Sequence, residues 1–145
     1  VRAPIWPDGI CGSISHSDQA AIAILAPSDT LRGIGIDIEL PIGFLEQDGL
    51  AAQIYQLDEG AVLAASKWAP QTFTVIFSAK EAIYKAIYPT VRRFVGFEEV
   101  TLIGYHTDKI KFLLNSKLAK QLGQSSLEVS VTMWRHHILT ICHIA

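Results

Sequence analysis

Asp37, Glu39, Glu81 and Lys85 occur at spacings that suit phosphate chemistry around a metal ion. Asp37 and Glu39 sit in Gly33-Ile34-Gly35-Ile36-Asp37-Ile38-Glu39. Strict alternation makes this segment a strand with Ile34, Ile36 and Ile38 on one face and the glycines and acids on the other. The two carboxyls therefore leave the same face, about 7 Å apart at Cα. Two hard oxygen donors on one rigid element suit Mg²⁺, which takes one or two carboxylates and completes its shell with water and substrate phosphate. The same spacing also fits an ordinary solvent-facing strand. Gly33 and Gly35 favour the binding reading, because glycines weaken a strand and are expected where a ligand or backbone comes close.

Between residues 72 and 88, Val75, Ile76, Ala79, Ala82, Ile83, Ala86 and Ile87 recur at the spacing of a helix with one buried stripe, and Pro89 is expected to stop it. A step of about 100° per residue puts Ser78, Glu81 and Lys85 on one polar flank and Lys80 on the other. Glu81 could add a third metal oxygen and Lys85 could meet a phosphate. A surface Glu-to-Lys pair worth ~0.3–0.5 kcal/mol is the plainer reading of the same two residues. Ser13-Ile14-Ser15-His16-Ser17 ends a short strand in hydroxyls and an imidazole, a group able to hold phosphate or simply to form a solvated turn. His136, His137 and His143 lack any Cys/His ligand pattern and are read as structural.

The elements that must position these residues follow from pattern. The chain has 145 residues, half of them hydrophobic and few charged, which describes one compact unit. Short strands are expected at 10–15 and 20–25 around a polar turn, then the acidic strand at 33–39. Helix-like composition over 44–66 breaks near Leu57-Asp58-Glu59-Gly60. Further strands are expected at 100–105, 110–114, 127–134 and 138–144, with a short helix at 116–122 closed by Gly123. That order implies an α+β fold, helices packed on a mainly antiparallel sheet.

A net charge of −2 without a Lys/Arg run argues against nucleic acid as a partner. Two cysteines without metal-type spacing suit a reducing, cytoplasmic setting, and no apolar run reaches the ~18 residues of a membrane span. The Pro-rich opening Ala3-Pro4-Ile5-Trp6-Pro7-Asp8-Gly9 reads as a connector that follows something else.

Three separated segments, Ser13 to Ser17, Gly33 to Glu39, and Phe77-Ser78-Ala79-Lys80-Glu81-Ala82-Ile83-Tyr84-Lys85, together resemble the signature motifs of the 4'-phosphopantetheinyl transferases. The Pro4-to-Gly9 lead-in and Phe77-to-Glu81 are most similar to the enterobactin-synthase component D branch. The resemblance spans roughly the whole chain. It implies transfer of 4'-phosphopantetheine from coenzyme A to a serine of an apo acyl, peptidyl or aryl carrier protein, for siderophore or other secondary-metabolite biosynthesis. It also implies Mg²⁺ on Asp37, Glu39 and Glu81, coenzyme A contacts from Ser15 and His16 with the imidazole at the 3'-phosphate, and Lys80 and Lys85 near the phosphates. Glu59 is the positional match for the base that takes the serine proton.

The resemblance implies a pseudo-two-fold architecture in which most of the first half is missing here. Residues 1–32 would be the tail of that N-terminal half and residues 33–145 the C-terminal transferase half. A second half alone would expose apolar surface, so a homodimer or association with a missing N-terminal fragment is expected. The stretch around Arg92, Arg93 and Phe94 fits either a docking edge for an acidic carrier or a solvated loop. Two other functions stay open on the residues themselves: a Mg²⁺-dependent phosphohydrolase or nuclease, and an inactive carrier-binding remnant.

Overall fold

The structure, a computed structural model, describes residues 4–43 and 51–145. Strands β1 (Ile10–His16) and β2 (Ala21–Pro27) form an antiparallel hairpin. Strand β3 (Gly33–Glu39) belongs instead to a five-stranded sheet with β4 (Val100–His106), β5 (Lys109–Leu114), β6 (Ser126–Trp134) and β7 (His137–Ile144). The sheet order is β3-β7-β6-β5-β4, and its paired strands are all antiparallel. Helices α1 (Ala51–Ile54) and α2 (Leu57–Val62) lead into the long α3 (Thr72–Val91), and α4 (Ser116–Leu122) connects β5 to β6. The α+β architecture expected from the element order is the one found. The helix-like stretch at 44–50 lies outside the described residues.

Helix α3 forms because its apolar residues follow the 3.6-residue period, and it lays that stripe across one face of the sheet. Val75, Ile76, Ala79, Ala82, Ile83, Ala86 and Ile87 are all completely buried. Pro89 does not end the helix, which runs on to Val91 and closes at Arg92, in left-handed backbone with φ 53°. A proline already has helical φ, so Pro89 costs the helix one amide hydrogen bond and some crowding of the preceding turn without forcing the chain out of helical backbone. Burial of Ile87 and Val91 outweighs that loss. Helix α4 stops where expected, at Gly123 with φ 76°, and Asn115 caps its start by accepting the Leu118 amide at 2.9 Å.

The glycines of β3 serve the helix rather than a ligand. A Cβ on Gly35 would lie 1.9 Å from the carbonyl oxygen of Ala82, and one on Gly33 would lie 1.9 Å from that of Ala86. The close approach read from the sequence is real, but the backbone of α3 is what approaches. The opposite face of β3 is covered as well. Ile36, Ile38 and Leu139 form a second small core with Ala20, Ile22, Ile24, Trp134 and Ile141, so the β1–β2 hairpin folds over this edge of the sheet. The hairpin is fastened to β3 through hydroxyls. Ser13 Oγ accepts the Ile36 amide and Ser15 Oγ the Ile38 amide, each at 3.0 Å. These bonds satisfy outward amides of an edge strand that a sheet partner would otherwise take.

Replacing Gly35 by Ala is expected to destabilise the chain by about 3 kcal/mol through overpacking, because the atoms in the way are helix backbone that cannot rotate aside. Urea unfolding of the variant measures this, and a loss under about 1 kcal/mol would mean that α3 can shift away from β3.

Candidate active site

The site lies where β3 leaves its glycines and faces the polar flank of α3. Asp37 is 4% exposed, so its charge needs partners. Ser78 Oγ donates to Oδ2 at 2.8 Å, Lys85 Nζ to Oδ1 at 3.3 Å, and Ser15 Oγ to Oδ1 at 3.5 Å. Ser78 is held in turn by β7: its hydroxyl lies 2.8 Å from that of Thr140, which donates to the Ser78 carbonyl at 2.9 Å. Thr140 stands directly opposite Asp37 in the β3–β7 register.

Lys85 ties three elements together. Its ammonium donates to the carbonyls of Ile14 in β1 at 3.2 Å and Ile36 in β3 at 2.9 Å as well as to Asp37. Glu39 and Glu81 complete the acidic group. Burial, then the charge and hydrogen bond of Asp37, then Glu81, push the Glu39 carboxyl up to about 8 from its ordinary 4.5, against the pull of Lys85. Glu81 is raised by burial and by Asp37. Asp37 is raised by burial against the hydrogen bond from Glu39 and the nearby Lys85 and Ser78. One lysine does not offset three carboxylates in a half-closed site, so the group holds protons that such acids normally give up.

Of the residues singled out in the sequence, Asp37, Glu39, Glu81, Lys85 and Ser15 come together here. Ser15 is buried, with its hydroxyl on the Ile38 amide and beside Asp37. His16, the last residue of β1, is exposed. Lys80 and Glu59 form a separate arrangement on the other flank of α3. The fully buried Lys80 ammonium bonds to Glu59 Oε1 at 3.0 Å and to the carbonyls of Ile54 at 2.7 Å and Phe97 at 2.9 Å. Glu59 Oε2 accepts the Gln56 amide at 2.9 Å, and Oε1 the Leu102 amide at 2.8 Å. Where the resemblance implied a phosphate-binding lysine and a base, the structure shows an ion pair in which each partner is already saturated. This pair caps an outward amide of β4, the other edge of the sheet. Sequence reasoning gave Ser13, Ser78 and Thr140 no role at the metal-type acids. The helical wheel did put Ser78 on the flank of Glu81 and Lys85, and Ser13 lay in the hydroxyl-rich segment, whereas Thr140 offered no signal beyond a hydroxyl on a strand.

Among the described residues, no group of three His, Cys, Asp or Glu side chains is arranged to hold a metal ion. The donor set nevertheless suits a hard cation. It is all oxygen, and burial and mutual repulsion raise the affinity of its carboxyls for protons, which a bound cation would relieve.

The fold is shared with holo-[acyl-carrier-protein] synthases. That of Neisseria meningitidis superposes with a TM-score of 0.62 at 23% identity, over 79% of this chain and 98% of that one. In sequence, residues 33–142 match the 4'-phosphopantetheinyl transferase superfamily, and residues 1–26 match the 4'-phosphopantetheinyl transferase N-terminal domain. Enterobactin synthase component D of Salmonella typhi is 37% identical over 141 residues, which are 97% of this chain and 58% of that protein. The 4'-phosphopantetheinyl transferase PptT of Mycobacterium tuberculosis is 37% identical over 109 residues, 72% of this chain and 45% of that protein. The chain therefore belongs to the 4'-phosphopantetheinyl transferase superfamily, and it spans about half the length of the curated relatives it matches. Among the described residues no helix is long and apolar enough to cross a membrane.

Two outcomes follow from the charges. The folded Glu39 carboxyl keeps a proton that the unfolded chain releases above its ordinary 4.5, so its contribution to stability is whole below that value and is lost as pH rises towards about 8. The raised Asp37 and Glu81 act in the same sense. Without divalent cations, Tm should fall between about pH 5.5 and pH 8, and Glu39→Gln should flatten the decline. An unchanged slope in that variant would place the Glu39 carboxyl in water. For the second pair, Glu59→Ala is expected to cost about 3–5 kcal/mol by stranding the Lys80 ammonium, with much of the loss recovered in Glu59→Leu/Lys80→Met, as read by urea unfolding.

Proposed function

We propose that this chain carries the catalytic half of a 4'-phosphopantetheinyl transferase, which moves phosphopantetheine from coenzyme A onto a serine of an apo carrier protein. The observation that carries the reading is the convergence of Asp37, Glu39, Glu81 and Lys85 at the β3–α3 seam of a chain in this superfamily. In this reading residues 33–145 are the transferase half and residues 1–32 the end of the preceding one. The chain works in the cytoplasm, on an acyl, peptidyl or aryl carrier of a siderophore or other secondary-metabolite synthase. The likeness to proteins named enterobactin synthase component D supports that choice of acceptor.

In the reaction, the carrier serine gives up its hydroxyl proton to solvent water as its oxygen bonds to the phosphorus bearing the pantetheine arm, the bond from that phosphorus to the bridging oxygen breaks, and 3',5'-ADP leaves. Asp37, Glu39 and Glu81 are the residues that would hold Mg²⁺, which supplies charge neutralisation for the pyrophosphate oxygens when bound. Ser15 orients Asp37, and Ser78 braces the same carboxylate from the helix. Lys85 is partly exposed and can turn from a backbone carbonyl towards a phosphate oxygen. His16, exposed at the end of β1 one residue beyond Ser15, is the residue we assign to the 3'-phosphate of coenzyme A. Glu59 can accept the serine proton only by releasing Lys80 or the Leu102 amide. The saturated pair is better suited to holding α2, α3 and β4 in place. Glu59→Gln is thus expected to lower Tm while leaving transfer per folded molecule within about tenfold of the parent. A loss beyond about a hundredfold at unchanged Tm would assign Glu59 as the base.

The central test is mass spectrometry of apo carrier proteins incubated with this chain, coenzyme A and Mg²⁺. A gain of one phosphopantetheine is expected, and Asp37→Asn or Glu81→Gln should reduce it at least about a hundredfold without loss of fold. Phosphate release in place of carrier modification would replace the transferase reading by hydrolysis.

A further inference from the structure

Strands β6 and β7 are joined by a two-residue turn in which Arg135 (φ 48°) and His136 (φ 65°) both adopt left-handed backbone. Such turns favour Asn and Gly, so the backbone here carries strain that its surroundings must hold. His137 follows immediately and is completely buried. Its Nδ1 lies 2.8 Å from the carbonyl oxygen of Arg135. A carbonyl can only accept, so Nδ1 carries a proton, and in the neutral ring Nε2 is the acceptor. That Nε2 lies 2.7 Å from the hydroxyl of Ser17, which donates to it when the ring is neutral. The Ser17 oxygen also accepts the Gln19 amide at 3.1 Å, and the Ser17 amide donates to the Ala20 carbonyl at 2.8 Å, which closes the β1–β2 turn.

One buried imidazole therefore bolts the tip of the hairpin to the start of β7. Packing does not require it, because Ile22, Ile24, Trp134, Leu139 and Ile141 already close the apolar contact between hairpin and sheet. What a directional bond adds is orientation. Ser17 is the residue next to His16, and the bond restrains the backbone at the end of β1 that carries the exposed imidazole.

We propose that Ser17 and His137 are positioning residues that aim His16 at the terminal phosphate of the coenzyme. The proposal rests on the reading of His16 given above. It assigns Ser17 a part in choosing between coenzyme A and its analogue lacking the 3'-phosphate, acting through His16 while its own hydroxyl is engaged by His137 and the Gln19 amide.

Calorimetry with coenzyme A and dephospho-coenzyme A, each with Mg²⁺, tests this on the full chain. The parent chain should prefer coenzyme A. Ser17→Ala should lower the affinity for coenzyme A by ~tenfold, the scale of one charged hydrogen bond, leave that for dephospho-coenzyme A unchanged, and lose its preference. Ser17→Thr, which keeps the hydroxyl, should restore it. In the apo chain, imidazole ¹⁵N resonances should show the Nδ1-protonated form of His137, and Ser17→Ala should shift the His16 signals. A preference that survives Ser17→Ala, an equal loss for both ligands, or unmoved His16 signals would overturn the positioning role alone. A parent chain that binds both ligands equally, or neither, would overturn the reading of His16 and this inference with it.

Discussion

Contact between the backbone of α3 and the glycines of β3 sets every other distance in the site. Gly33 meets the carbonyl of Ala86 and Gly35 that of Ala82, so two residues along the strand match four along the helix. The geometry explains the match: two strand residues advance about 6.6 Å and four helical residues about 6 Å. Continued by one step, the same rule brings Asp37 to Ser78, whose hydroxyl it binds at 2.8 Å. A further step reaches the Thr74 side of the helix, where the hydroxyl accepts the amide of Ile42 just beyond β3. Glu81 and Lys85 lie three residues beyond Ser78 and Ala82, on the flank that borders this seam. A steric contact between small residues thus indexes acids against hydroxyl and ammonium groups farther along.

The electrostatics are a consequence of that closeness. A helix packed this tightly removes water from Asp37, and hydroxyls from two elements, Ser15 of β1 and Ser78 of α3 with Thr140 behind it, replace part of what water supplied. Lys85 supplies the rest, at the expense of lying against two carbonyls as well as the carboxylate. For Glu39 and Glu81 the pull of Lys85 is outweighed by burial and by neighbouring carboxyls, and their raised affinity for protons reports a place where positive charge is wanted. The opposite flank of α3 shows the contrast. Lys80 and Glu59 are more deeply buried, yet each finds a charge partner and backbone groups, and the pair braces the sheet edge.

Much of this was legible in the residues, and the failures have physical causes. The period-two pattern identified β3 and the buried stripe identified α3, because burial on a defined face leaves a periodic trace. The helical wheel also separated Lys80 from Lys85. Gly33 and Gly35 announced a close approach, but a missing side chain cannot say whether ligand or helix fills the space. Pro89 was read as a stop because its local effect is visible in sequence while the burial of Val91 that outweighs it is not. The Glu59–Lys80 pair, the hydroxyls of Ser13 and Ser15 on β3 amides, and the Ser17–His137 bond join positions far apart along the chain. Single polar residues of that kind leave no periodic signature at all.

The hairpin shows how relationship in sequence and cohesion in space can part company. Residues 1–26 match one domain description and residues 33–142 another. Yet β1 supplies the hydroxyls that satisfy the edge of β3, the carbonyl that anchors Lys85, and Ser15 beside Asp37. Its partner β2 helps to bury Ile36 and Ile38. Remove the hairpin and β3 would lose its outer cover and the satisfaction of two edge amides, while Asp37 would keep only the helix side of its hydrogen bonding. The acidic strand is therefore a shared element, held by α3 through shape and by the hairpin through hydroxyls. Its carboxyls can be both buried and fixed because neither contact alone has to do both tasks.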